Sequence, residues 1–238
     1  INLMPYRNIQ LVVDEFYHIV KRGVEERSIF LDDEAHFRFV NSLLMFNDRK
    51  AVPWSMRAFW EQRDPSSLGD YVPKEPLVEI HAFALVKNHF HLLVRQLQKE
   101  GISVFAKKLG GYSYYFNKKY KRVGPLFQGR FKAILIKNEE QLKNVFVYIH
   151  TNPIALIEPG WKEKGIKNFQ QINQFLKNYR WSSYLDYLSE NNFPNLTKRK
   201  FFLELLGGNS NCNKEIEFWI RYKTDINKIN KIKNIILE

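Results

Sequence analysis

The stretch 77–96, LVEIHAFALVKNHFHLLVRQ, decides how this chain folds. Two runs rich in β-branched and aromatic residues, 77–86 and His89–Gln96, are separated only by Lys87-Asn88. A two-residue link is the length of a tight hairpin, although Lys-Asn is not the chemistry such turns favour. Inside the second run stands Asn88-His89-Phe90-His91-Leu92. Side chains at i and i+2 of a strand share a face. His89 and His91 therefore present two imidazoles side by side, and Phe90 points the opposite way, into a core. Neutral imidazoles are good metal ligands. Many His-x-His pairs are surface accidents, so the weight of this one depends on what converges on it.

Upstream, 11–22 reads as a strand closed by a turn at Gly23. Asp32 and Asp33 offer N-caps for a helix over about 34–46, with Phe37, Phe39, Val40, Leu43 and Leu44 at helical spacing. The stretch 48–76 carries Pro53, Pro65, Pro73 and Pro76 and reads as a loop, in which Trp54, Phe59 and Trp60 suggest local packing. Downstream, 101–119 reads as a helix weakened by Gly110-Gly111, and 126–136 as a strand. Asn138-Glu139-Glu140-Gln141 resembles a capping box. It opens a helix with Leu142, Val145, Phe146 and Ile149 as its apolar stripe, which Pro153 should end. Strand–helix–hairpin–helix–strand–helix is an α+β order, predicting one antiparallel sheet with helices packed on a face. The tail after Pro194 reads as helical over 198–206 and 214–222, and its Asn/Lys/Ile-rich end as a loosely docked helix.

A chain of 238 residues with 45% hydrophobic residues can bury a proper core, and general disorder is excluded. The net charge of +12 favours a polyanionic partner, with nucleic acid ahead of a membrane surface. A Lys- and Asn-rich composition alone gives a basic chain, so distribution decides. Between Lys107 and Lys132 lie eight basic residues and no acidic one: Lys107, Lys108, Lys118, Lys119, Lys121, Arg122, Arg130 and Lys132. Aromatic residues reach 15%, and rings interleaved with cations suit single-stranded nucleic acid. Most of the Phe are better read as core. Cys212 is the only cysteine, which excludes a disulfide or a Cys-based zinc site within one chain. No apolar run is long enough to span a bilayer and no signal-peptide pattern is present, so a reducing cytoplasm is expected.

A second motif lies in the capped helix: Tyr148-Ile149-His150-Thr151-Asn152-Pro153. Tyr148 and Asn152 are i and i+4 and share a helical face. A phenol can be a nucleophile and an amide oxygen is an acceptable ligand for a hard cation. If this face met the His89/His91 face, one divalent ion and one phenol would suffice for phosphoryl transfer from a phosphodiester to tyrosine. The plainer readings are that Tyr148 is core, Asn152 terminates the helix, and His150, on roughly the opposite face from Tyr148, is structural. The residues alone leave open a catalytic site or a basic nucleic-acid-binding domain.

The chain resembles the HUH-type single-tyrosine transposases, in the REP-associated or IS200-like branch. The matching blocks are Tyr17-His18-Ile19-Val20-Lys21-Arg22-Gly23, Leu85-Val86-Lys87-Asn88-His89-Phe90-His91-Leu92-Leu93 and Tyr112-Ser113-Tyr114-Tyr115-Phe116-Asn117, then Gly124-Pro125-Leu126-Phe127-Gln128-Gly129-Arg130-Phe131-Lys132, Tyr148-Ile149-His150-Thr151-Asn152-Pro153 and Trp181-Ser182-Ser183-Tyr184. Their order and spacing together are quite specific. The resemblance implies a ferredoxin-like HUH catalytic domain over 1–190, with 48–76 inserted, and a basic, partly helical extension over 191–238. It implies that His89, His91 and Asn152 hold Mg²⁺ or Mn²⁺ and that Tyr148 attacks DNA, leaving a 5′-phosphotyrosine link and a 3′-hydroxyl. Tyr112 ranks second as nucleophile, because Phe116 stands where an amide at i+4 is needed. Arg22 and the basic block 107–132 would grip phosphates of single-stranded or hairpin DNA, and exposed rings of the Tyr112–Phe116 cluster would stack on bases. Neither a membrane nor ATP is implied. Relatives of this chemistry are monomers or homodimers, and the setting would be a prokaryotic cytoplasm, at the nucleoid through DNA. The alternative is a non-catalytic nucleic-acid-binding regulator derived from the same family. The chain departs from the family pattern at Val86, where Met is common, and in the length of 48–76.

Overall fold

The computed structural model describes residues 10–51 and 71–222. Trp54, Phe59 and Trp60, with the Asn/Lys/Ile-rich end of the tail, lie outside the described residues.

The hairpin forms where the sequence places it. Strands β2 (Val78–Val86) and β3 (His89–Gln96) pair antiparallel across Lys87-Asn88. Strand β1 (Phe16–Arg22) lies on the other side of β3, and β4 (Lys132–Leu135) on the outer side of β1. The order is β2-β3-β1-β4, with every neighbouring pair antiparallel. With helical segments after β1 and after β3, this is the βαββαβ arrangement of ferredoxin-like domains. Two expected strands are shorter than read. β1 begins only at Phe16, and of 126–136 only the four residues of β4 extend the sheet. Ahead of β4, Phe127 makes one isolated bridge to Gly23.

Helix α1 (Asp33–Met45) starts at Asp32, whose carboxylate accepts the Ala35 N–H at 2.8 Å. The single helix expected over 101–119 is two, α2 (Gly101–Leu109) and α3 (Gly111–Lys119), parted at Gly110. A Cβ at Gly110 would stand 2.9 Å from the Lys107 carbonyl, so glycine permits this close turn. These helices cover one face of the sheet. Phe39, Leu43, Phe105 and Tyr112 pack there on Tyr17, Ile19, Phe90, Leu92 and Val94.

The other face is covered as well, which the sequence reading did not anticipate. Helix α4 (Glu139–Thr151) lays Val145, Phe146 and Ile149 into a core with Ala82, Ala84 and Leu93. Beyond it come α5 (Trp161–Lys164), α6 (Phe169–Asn178), α7 (Tyr184–Tyr187), α8 (Arg199–Leu206) and α9 (Asn209–Tyr222). Phe202, Cys212, Ile216 and Ile220 join the α4 core, so the tail through α9 packs into the body of the protein.

Strand β2 carries a bulge between Ile80 and Ala82. It resets the alternation, so that Ile80 and Phe83 both face the first core. The outer edge of β2 is closed by 181–183. Leu85 N–H donates to the Trp181 carbonyl at 2.9 Å and Ser183 N–H to the Phe83 carbonyl at 3.0 Å. The ends of 48–76 are tied together at their base. The Asp48 carboxylate accepts Lys50 N–H at 2.9 Å and Lys74 N–H at 2.7 Å.

Candidate active site

Alternation along β3 separates the residues of its central motif. Phe90 enters the α1–α3 core, while His91 is fully buried on the opposite face, beneath α4. Arg22 of β1 stands directly across from His89, and Val20 from His91. Helix α4 is fixed at its start by Asn138, whose side chain accepts Gln141 N–H at 2.8 Å. Gln141 Oε1 returns the bond to Lys137 N–H at 2.8 Å, one residue earlier than in a capping box. The helix ends where read: Asn152 is its C-cap, and Pro153 continues in a 3₁₀ turn (Asn152–Leu156).

So placed, α4 brings its motif onto the histidine pair. The Tyr148 ring meets the His91 ring edge-on, with centroids 5.5 Å apart. Asn152 Oδ1 lies 3.2 Å from His89 Nε2. The four residues named from sequence as nucleophile and ligands thus stand together, Asn152 against His89 and Tyr148 against His91. His91, Tyr148 and Asn152 are at most 3% exposed, and half-buried His89 stands at the rim. His150 is elsewhere, as expected: its Nε2 bonds Ser183 Oγ at 2.7 Å, and burial lowers its pKa to about 3.

Two members of the site escaped the sequence reading. His18, on β1, stacks on His91 with Nε2 2.9 Å from His91 Nδ1. Its signal was present in the parity of the Tyr17–Arg22 block, since His18, Val20 and Arg22 must share the face opposite Tyr17 and Ile19. Lys162, on α5, gave no signal. It donates to the Tyr148 hydroxyl at 3.0 Å, with its ammonium 4.5 Å from the centre of that ring. Burial holds the His91 pKa well below the ordinary value, with His89, His18, Lys162 and Arg22 adding positive surroundings in that order. A neutral imidazole is the form that binds metal.

The donor set fits a divalent cation. His91 Nε2 is buried without a hydrogen-bond partner. His89 Nδ1 lies 2.6 Å from Asn88 Oδ1, so a neutral His89 ring donates there and leaves Nε2 as a lone pair aimed at Asn152 Oδ1. Two acceptors facing each other are reconciled by a cation, or by an amide turned to present its NH₂. Among the described residues no group of three or more His, Cys, Asp or Glu is disposed to hold a metal. The set here is two imidazoles and an amide oxygen, without a carboxylate.

The remaining candidates lie elsewhere. Tyr112 is buried on the opposite face of the sheet, donates to the Ile29 carbonyl at 2.6 Å, and has its pKa pushed well above 10 by burial. Of the Tyr112–Phe116 rings expected to stack on bases, Phe116 is also core, and Tyr114, at 75%, is the one broadly exposed. Within the basic block, Lys108 binds the carbonyls of Asp48, Arg49 and Lys50. Lys119 pairs with Asp32 and Glu34 at 2.9 and 3.1 Å. Arg122 bonds Asn117 Oδ1 at 2.9 Å and the Pro125 carbonyl at 2.7 Å. These three side chains tie loops and helices together. Lys107, Lys118, Lys121, Arg130 and Lys132 project outward. Lys107 and Arg130, with Lys21, Lys99 and Phe131, line a groove of about 850 Å³ whose wall carries one acid, Glu100. No helix among the described residues is long and apolar enough to cross a membrane.

Comparison with known proteins adds a family resemblance over part of the chain. No curated protein matches the chain. Among solved structures it is similar to one described as "Structure of the REP associates tyrosine transposase bound to a REP hairpin". The identity is 14% and the TM-score 0.48, covering 83% of this chain and 96% of that one. It is also similar to a bacterial tRNA(His) guanylyltransferase (Thg1)-like protein in complex with ATP, at 11% identity and TM-score 0.37, covering 71% and 72%. Likenesses this distant carry neither protein's activity to this chain. The match to the family described as "Transposase IS200 like" spans residues 60–152 and contains His89, His91, Tyr148 and Asn152. Over those residues, under half of its length, the chain is similar to the IS200-like transposase family.

Proposed function

We propose that the protein cuts and rejoins single-stranded DNA through a covalent phosphotyrosine. The observation that carries this reading is the meeting of Tyr148 and Asn152, from α4, with His89 and His91, from β3, inside the family-matched segment. The phenolic oxygen of Tyr148 attacks a phosphodiester. The phosphorus–oxygen bond to the 3′ side breaks, leaving a 5′-phosphotyrosine and a free 3′-hydroxyl. The energy of the broken bond stays in the adduct, so a later 3′-hydroxyl can reverse the step without ATP.

His89, His91 and Asn152 would hold Mg²⁺ or Mn²⁺. When bound, the ion would polarise a non-bridging phosphate oxygen and offset charge in the transition state. His18 fixes the His91 ring through Nδ1. Arg22, across from His89, stands where a phosphate entering the rim would meet a cation. The groove lined by Lys21, Lys99, Lys107 and Arg130 would take flanking backbone phosphates. Lys21 is partly buried there, which lowers its pKa, and its ammonium rests 4.9 Å from the centre of the Phe127 ring.

The test is a denaturing gel of the protein with labelled single-stranded hairpin DNA, with and without Mn²⁺. A metal-dependent covalent band, absent from Tyr148→Phe, is the expected result. Tight DNA binding with no band under any metal would instead make the protein a non-catalytic regulator.

A further inference from the structure

We propose that Lys162 is a catalytic residue, whose ammonium holds the phenolic oxygen of Tyr148 for attack and stabilises the charge on that oxygen when the phosphotyrosine bond breaks. This rests on the reading of Tyr148 as nucleophile. The starting point is a contrast with two buried tyrosines and one half-buried one. Tyr112, Tyr179 and Tyr187 donate their hydroxyl protons to the backbone carbonyls of Ile29, Leu85 and His81, at 2.6, 2.5 and 2.7 Å. A carbonyl partner binds the proton and opposes negative charge on the oxygen. Tyr148 instead receives a hydrogen bond from Lys162 at 3.0 Å. An ammonium has three donors and no acceptor, so it favours charge on the oxygen it touches. It also lies 4.5 Å from the ring centre. The contact therefore reaches both the ring and the reacting atom.

The lysine is held there by its own short helix. Trp161, 3% exposed, anchors α5 in the α4 core. Gly160 and Gly165, both at φ 77°, turn the chain sharply on either side. That conformation costs glycine nothing and strains other residues. The half-buried Lys162 is thus presented across the α4 face from a fixed base.

The chemistry balances in both directions. On cleavage, the Tyr148 oxygen gives its proton to solvent and bonds to phosphorus. The bond from phosphorus to the 3′ oxygen breaks, and that oxygen takes a proton from solvent. On rejoining, a 3′-hydroxyl gives its proton to solvent and bonds to phosphorus. The electron pair of the phosphorus–tyrosine bond then returns to the phenolic oxygen, beside the Lys162 ammonium, before the phenol is reprotonated. Preorganised donors at an oxygen that becomes charged contribute about a hundredfold or more to rate.

The experiment measures adduct formation and its reversal by a 3′-hydroxyl strand, both at saturating hairpin DNA. It compares wild type, Lys162→Met, Lys162→Arg and Tyr148→Phe, with melting temperatures recorded for each. Lys162→Met should slow both steps by about a hundredfold, and Lys162→Arg should recover most of the loss. Replacing Tyr148 with 3,5-difluorotyrosine, a better leaving group, should speed reversal in Lys162→Met more than in wild type. Rates in Lys162→Met within twofold of wild type would overturn the proposal. So would slowed rates that neither arginine nor the fluorinated tyrosine restores. An adduct surviving in Tyr148→Phe would overturn the nucleophile itself, which is a separate outcome.

Discussion

The two faces of the sheet are made by the same strands and have opposite characters. Towards α1–α3, β1 and β3 offer Tyr17, Ile19, Phe90, Leu92 and Val94, and the rings of Phe30, Phe39, Phe90 and Tyr112 pack against one another. Towards α4, the intervening residues of those strands offer His18, His89 and His91 beside Arg22. The functional groups are thus interleaved residue by residue with the core that holds them. A slip of one residue along β3 would turn His89 and His91 into the apolar core and Phe90 and Leu92 towards the site. The apolar alternation that stabilises the sheet is also what aims its imidazoles.

The sharpest test of this contrast uses two tyrosines on opposite sides. Tyr148→Phe should remove the covalent adduct to below detection on a denaturing gel, while Tyr112→Phe keeps it. Tyr112→Phe should cost only about 1 kcal/mol of stability, for the hydrogen bond to the Ile29 carbonyl. The opposite pattern would assign chemistry to the wrong face. Next in size is the apolar side itself. Phe39→Ala, at a fully buried ring, should cost about 3–5 kcal/mol in urea denaturation. Adduct formed per folded molecule should not change.

Acid probes the α4 side. The His150 pKa is about 3 when folded, below its unfolded value, so the unfolded chain binds the extra proton between those limits. The group's stabilising effect is therefore present above its unfolded value and lost as pH falls, by at most about 1.4 kcal/mol per pH unit. Asp186, raised to about 6 by burial, works in the opposite sense in part of that range. The difference between wild type and His150→Gln cancels Asp186, and the variant's stability should fall less steeply with acid. Smallest is the charge of the groove. Lys107→Ala with Arg130→Ala should weaken hairpin binding several-fold and flatten its salt dependence by about one unit per lost phosphate contact. Lys119→Ala, which breaks pairs with Asp32 and Glu34, should lower the melting temperature instead and leave that dependence unchanged.

What was legible in the sequence was local and periodic. The two-residue link, the same-face histidines, the Asn138 cap and the i, i+4 pair of Tyr148 and Asn152 all follow from short-range geometry. Features set by distant partners were not legible. The bulge at His81 has no turn or glycine signal in 77–86 to mark it. Coverage of the second face needs α8 and α9, whose apolar stripes do not reveal which surface they seek. Lys108, Lys119 and Arg122 looked like part of a phosphate-binding block because a count of charges does not show that carbonyls and carboxylates already engage three of them. Lys162 reaches the site from a four-residue helix that no periodicity could assign to it.

The contact between His18 and His91 has a consequence for where protons reside. Only one proton can sit between His18 Nε2 and His91 Nδ1. For His91 Nε2 to give its lone pair to a cation, that proton must belong to His91 Nδ1. His18 Nε2 must then accept, and a neutral His18 carries its own proton on Nδ1. A cation touching one ring on β3 thereby dictates the tautomer of a second ring on β1, and the two strands respond to metal as one unit.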